Sequence, residues 1–93
     1  MESNKYYVYM LLCRDQTFYT GTSNNVEKRV ATHNAGKGAK YTKIRRPVKL
    51  MYSEELENKS QALKREIAIK KLSRQQKVSL LKSHGINWRD YLI

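Results

Sequence analysis

The chain has one cysteine (Cys13), one proline (Pro47), one phenylalanine (Phe18), four glycines and only 8 acidic residues among 93. Each scarcity excludes something. A single thiol leaves no intramolecular disulfide and no Cys-x-x-Cys pair for zinc or dithiol chemistry, which fits a reducing, cytoplasmic setting. No Pro-, Gly- or Ser-rich stretch forms a linker and no segment repeats, so one domain is expected over residues 1–85. An aromatic tail at 86–93, with Trp88, Tyr91 and Leu92, either docks on that body or stays loose. The longest near-continuous apolar run, Tyr6 to Cys13, is too short to span a bilayer and too early and tyrosine-rich for a signal sequence.

The shortage of acid leaves 19 Lys and Arg against 8 Asp and Glu, a formal charge of 19 − 8 = +11. Self-repulsion of that size works against compactness, so the charge is expected to serve a polyanion, nucleic acid first and an anionic membrane surface second. A hydrophobic content of 40% argues against disorder. A domain of this length buries only roughly 60–65% of its unfolded surface, so its stability should be modest.

Tyr6 to Cys13 is apolar on both alternating faces and predicts a central strand covered on two sides. Arg14-Asp15-Gln16 is a polar turn, and Thr17 to Thr20 resumes a β pattern that stops at Gly21, which together make a hairpin. A three-residue turn would pair Cys13 with Thr17, set Tyr9 opposite Gly21, and bring Tyr9 and Tyr19 to one face; a two-residue turn would part them. Asn24 as N-cap with Glu27 predicts a helix to about Asn34, with Val26 and Val30 as its apolar stripe and Arg29 and His33 one turn apart on the border, neither fully solvent-facing. Ala35 to Pro47 has no period and reads as a loop. Val48 to Ser53 reads as a third strand. Ser60 would cap a second helix to about Leu72, and Ser73 with Gln76 a third ending near His84-Gly85. The order β-β-α-β-α-α predicts an α+β fold, a small three-stranded antiparallel sheet flanked by helices.

Between Lys28 and Ser53 there are eight basic residues and no acid: Lys28, Arg29, Lys37, Lys40, Lys43, Arg45, Arg46 and Lys49. Between Lys59 and Lys82 there are eight more, with Glu66 the sole acid. Acids so segregated favour a phosphate-tracking surface over a merely solvated one, with Lys37, Lys40, Lys43, Arg45 and Arg46 as candidate contacts. Glu66 falls angularly between Ala62 and Ile69 on one side and Leu63 and Ile67 on the other, inside an apolar arc. A carboxylate there costs several kcal/mol unless it is paired, with Arg29 or a nearby Lys, or binds a divalent metal. Seven tyrosines are the second anomaly. Tyr6, Tyr41, Tyr52 and Tyr91 read as core residues with satisfied hydroxyls, whereas Tyr7, Tyr9 and Tyr19 cluster on the hairpin beside Gly21.

Tyr7-Val8-Tyr9, then Tyr19-Thr20-Gly21, then Asn25, Arg29 and His33, then Glu66, in this order and spacing, resemble the GIY-YIG endonuclease domain from Tyr6 to about Leu81. The segment His33 to Thr42 and Arg45-Arg46-Pro47 is similar to small stand-alone bacterial members. Tyr7 stands where the family name has glycine, Thr20 where isoleucine is usual, and Thr22 where many members carry a lysine. The resemblance implies hydrolysis of a DNA phosphodiester by water, with Tyr9 or Tyr19 as base, Arg29 bracing the transition state, His33 assisting proton transfer, and Glu66 holding one Mg²⁺ or Mn²⁺. Tyr7, Gly21 and Asn25 would support the site. Low sequence specificity is expected, with branched, nicked or damaged DNA as targets. The rival expectations are a nucleic-acid-binding module that keeps the fold but cleaves little, and a small basic protein bound to structured RNA.

Overall fold

The computed structural model describes residues 5–92; Ile93, the last residue of the expected tail, lies outside them. The first strand, β1 (Tyr6–Cys13), is the centre of a three-stranded antiparallel sheet between β2 (Phe18–Ser23) and β3 (Val48–Leu56). Val8 to Cys13 are all buried, as a strand covered on both faces must be. Alternation sends Val8, Met10 and Leu12 into one core, with Met51, Tyr52, Ala62, Ile69 and Leu81. Tyr9, Leu11 and Cys13 enter the other, with Val48 and the half-buried Tyr19, Val26, Val30 and Leu50. A register shift between Met10 and Leu11 against β3 lets Met51 and Tyr52, adjacent in sequence, both face the first core.

The β1–β2 turn has the three-residue form. Cys13 N donates to Thr17 O (2.9 Å), Gln16 takes a left-handed φ of 69°, and Asp15 Oδ1 accepts from the Thr17 hydroxyl (2.6 Å). Tyr9 therefore lies opposite Gly21, and Leu11 opposite Tyr19.

Helix α1 (Val26–Asn34) lies on the Tyr9 face and is capped by Asn25, whose Oδ1 accepts from Lys28 N, not by Asn24 as the spacing to Glu27 predicts. Ser23 decides this: its hydroxyl accepts from Asn25 N and donates to Asn25 O, fixing that residue in the extended cap conformation. At the far end the Asn34 amide pairs with both backbone groups of Val48 (2.7 and 3.0 Å), binding α1 to β3. The expected loop contains a four-residue helix, α2 (Lys40–Lys43). It is too short to leave a period in the sequence and is held by Thr42 hydrogen bonds instead.

β3 runs three residues beyond the expected Ser53, because its polar end is paired: Glu54 with Arg65 and the Tyr52 hydroxyl, Glu55 with the Tyr7 hydroxyl and Lys5. Helix α3 (Lys59–Lys70) is capped by Asn58, two residues ahead of the expected Ser60. Helix α4 (Arg74–Ser83) begins with the Ser73–Gln76 capping box as predicted and stops at His84 and Gly85, the latter at φ 75°. The tail docks: Trp88 and Tyr91, in a 3₁₀ turn, and Ile86 pack on the first core. The Arg74 guanidinium lies over both the Phe18 and Trp88 rings (4.1 and 4.9 Å). Among the described residues no helix is long and apolar enough to cross a membrane.

Thr20 faces the first core opposite Met10, and its hydroxyl is the one buried side-chain polar atom without a hydrogen-bond partner among the described residues. Thr20→Val removes this orphan at nearly constant volume. It is expected to stabilise by about 1 kcal/mol, seen as a rise in Tm of about 4–8 °C for a domain of this size.

Candidate active site

The strand pairing brings Tyr9 and Tyr19 to one face, with ring centroids 6.5 Å apart. Between them the sheet must be bare, since a Cβ on Gly21 would sit 2.6 Å from the Tyr9 oxygen. His33, on α1, closes over this pair: its ring meets Tyr19 edge-on at 5.2 Å and its Nε2 lies 2.9 Å from the Tyr9 oxygen. Gly38 lets the following loop press onto the other side of the imidazole, where any Cβ would collide with His33 Nδ1.

His33 is buried, and its proton can be assigned from its neighbours. Nδ1 lies 2.7 Å from Thr42 Oγ1, which is 2.9 Å from Ala39 O. If the single Thr42 proton went to Nδ1, two oxygens would face each other at 2.9 Å with no hydrogen between them. The hydroxyl therefore donates to Ala39 O and accepts from Nδ1–H, and Nε2 becomes the acceptor for the Tyr9 hydroxyl. The Ala39 amide also points at Nδ1, but at 3.4 Å this is the weakest of the contacts and does not outweigh the two short ones through Thr42. Burial, and secondarily the charge of Arg29, lower the His33 pKa below 6.5, so the ring is neutral at pH 7. Burial also holds the Tyr9 phenol above its ordinary range, reinforced by Tyr19 and opposed by Arg29.

Arg29 and Glu66 complete the cleft, a cavity of about 260 Å³ whose other walls include Tyr9, Tyr19, Thr22, His33 and Gly38. Arg29 is exposed, whereas His33 one turn later is buried; the two do not share the intermediate position their spacing predicts. Ala62 and Ile69 of α3, which packs against all three strands, enter the core on one side of the sheet, while Glu66 reaches the cleft. That placement narrows the apolar arc expected around Glu66. Leu63 and Ile67 are 41% and 55% exposed, while the Glu66 side chain retains 17% exposure. Its ion-pair partner is Lys70, one turn on, at 2.7 Å from Oε2, not Arg29.

The remaining candidates separate. Tyr7 shares the Tyr9 face but bonds Glu55 and does not line the cleft; Asn25 acts as a helix cap. Tyr41 is not core: it is 38% exposed, stacked on Tyr19 at 6.0 Å and covered by Arg45 at 3.8 Å. Of the five basic loop candidates, Arg45 pairs with Asp15 (3.0 Å) and bonds Tyr41 O, and Arg46 bonds the Lys43 and Asn34 carbonyls. Both guanidiniums build the loop. Lys37, Lys40 and Lys43 are exposed and form no ion pair among the described residues. Thr42 was invisible as a site residue, because nothing in its sequence neighbourhood marks a contact with His33, whereas the i,i+4 spacing of Lys70 from Glu66 fits the nearby lysine expected as its partner.

The GIY-YIG catalytic domain profile matches residues 5–79. The chain belongs to the GIY-YIG family. It is 58% identical over 77 residues to a UPF0213 protein of Staphylococcus haemolyticus, covering 83% of this chain and 94% of that one. A UPF0213 protein of Clostridium perfringens is 54% identical over 85 residues, covering 91% of each. The solution NMR structure of a protein from E. faecalis superposes with a TM-score of 0.62 at 45% identity, covering 91% of this chain and 92% of that one. GIY-YIG domains form an endonuclease family, which supports a nuclease-like role for this cleft.

Proposed function

We propose that the protein is a metal-dependent endonuclease that hydrolyses DNA phosphodiester bonds with low sequence specificity, directed by DNA structure as in repair or recombination. The observation that carries this reading is the convergence of Tyr9, Tyr19, Arg29, His33 and Glu66 on one small cleft open to solvent. A substrate phosphate bound between Arg29 and Glu66 would face the Tyr9 hydroxyl.

The donor set suits Mg²⁺ or Mn²⁺. Glu66 offers a hard carboxylate oxygen, Oε1, while Oε2 is held by Lys70. Among the described residues no group of three or more His, Cys, Asp or Glu side chains accompanies it. Such a site suits an ion that keeps several waters and takes substrate phosphate as ligand. When bound, the ion would offset charge on the leaving 3′ oxygen.

The protein's own contribution is proton handling and charge. Tyr9 is protonated at rest and its hydroxyl points at a neutral imidazole. As water attacks phosphorus, the Tyr9 oxygen takes the water proton while its own proton passes to His33 Nε2, so no free phenolate is needed. Thr42 holds the receiving tautomer. The P–O3′ bond breaks as the new P–O bond forms, and Arg29 stabilises the extra negative charge on the non-bridging oxygens.

The test follows nicking of plasmid and branched DNA by wild type and Arg29→Ala during a titration with Mg²⁺ or Mn²⁺. Wild type should cleave, EDTA should stop it, and Arg29→Ala should lose about 10²–10³-fold in kcat. Cleavage by wild type no faster than by the variant, across metals and substrates, would leave a DNA-binding module in place of the enzyme.

A further inference from the structure

A second cavity, of about 350 Å³, opens beside the catalytic cleft and shares Thr22 and Arg29 with it. The two therefore lie on either side of Thr22 and Arg29. Its wall carries three cations, Lys28, Arg29 and Lys59, and no carboxylate, together with neutral polar residues such as Thr22 and Asn24. This charge is unspent. Lys5, Arg45, Arg65 and Lys70 are all engaged with acids, whereas Lys28 and Lys59 are exposed and form no ion pair among the described residues. Holding two lysines and an arginine around one polar hollow with no acid to screen them disfavours the isolated fold and attracts a polyanion.

The position of the hollow says which part of a polyanion. Gly38 and Ala39, the start of the basic loop, form one wall of the catalytic cleft, and Thr22 and Arg29 form the wall it shares with the Lys28–Lys59 hollow. A strand laid on the lysines of the loop and through the cleft would continue into the hollow. We propose that Lys28 and Lys59 form a second phosphate subsite, which grips the backbone of the scissile strand next to the phosphodiester being cut. The inference rests on the nuclease reading and adds to it the direction in which the strand leaves. Phosphate contacts of this kind fix register without reading sequence, which agrees with low specificity.

The test compares wild type, Lys28→Ala/Lys59→Ala and a charge-matched control, Lys49→Ala/Lys82→Ala, each checked for native circular dichroism. Binding to a labelled DNA duplex is measured in EDTA over a series of salt concentrations, and cleavage of the same duplex with metal present. The Lys28/Lys59 variant should bind with a slope of log K against log salt shallower by about 1.8, two phosphates at about 0.9 each. Its KM should rise while kcat stays within about twofold, because both lysines lie outside the reacting group. A slope and KM equal to those of the control overturn the subsite and leave the nuclease standing. Wild type that neither binds nor cleaves DNA overturns both.

Discussion

Tyr9→Phe is expected to lower kcat by about 10²–10⁴-fold, the usual worth of a positioned proton acceptor, and to leave DNA affinity in EDTA unchanged. Two further readouts separate this from simple damage. Loss of the phenol leaves His33 Nε2 buried without its 2.9 Å partner, a cost of about 1–3 kcal/mol, so rates must be compared well below the lowered Tm. In the wild type, kcat/KM should rise with pH through the depressed His33 pKa, placing the acid limb below 6.5, since only the neutral ring accepts the Tyr9 proton. That limb should vanish in Tyr9→Phe. Tyr19→Phe keeps the ring that packs on His33 and Tyr41, and should lose much less. A larger loss at Tyr19 than at Tyr9 would transfer the role of base to Tyr19.

Glu66→Gln should lower cleavage about 10³-fold, equivalent to about 4 kcal/mol of transition-state stabilisation, the scale on which a metal ion acts. Gln keeps the shape of the side chain and one carbonyl oxygen but not the charge. The Lys70 pair it breaks is an i,i+4 pair whose lysine end is half open to water, worth about 0.3–0.5 kcal/mol, so Tm should barely move. DNA binding in EDTA should be equal or tighter, because the cleft becomes more positive. Calorimetric titration of Mn²⁺ into a variant–DNA complex should lose the heat seen with wild type. Undiminished cleavage by Glu66→Gln would refute a metal on this carboxylate.

The parts of this molecule written in local pattern were legible beforehand. Period-two alternation made the pairing of Tyr9 with Gly21 follow from a three-residue turn, which the structure has, and the Ser73–Gln76 box opened α4 where expected. Helix starts with two eligible caps were not decidable from spacing, as Asn24 against Asn25 and Ser60 against Asn58 show. The five residues to which the resemblance gives catalytic roles, Tyr9, Tyr19, Arg29, His33 and Glu66, line one cleft. What stayed hidden depends on partners far along the chain. A run of arginines looks free until Asp15, 30 residues away, claims Arg45. Thr42 is one more hydroxyl until the fold sets it against His33. The apolar arc around Glu66 was read from angular positions alone, which do not reveal that Leu63 and Ile67 stay largely exposed.

The two faces of β1 differ in what they can survive. Val8, Met10 and Leu12 serve packing alone, so changes there cost stability and can be offset by any stabilising change elsewhere, Thr20→Val being one. On the opposite face Tyr9, the proposed proton acceptor, is itself a core side chain, one of four buried residues under α1. No compensating substitution restores a lost Tyr9. Drift in relatives and stabilisation in the laboratory should therefore concentrate on the even-numbered side of this strand, and an inactive descendant would first betray itself by smaller or purely aliphatic residues on the odd one.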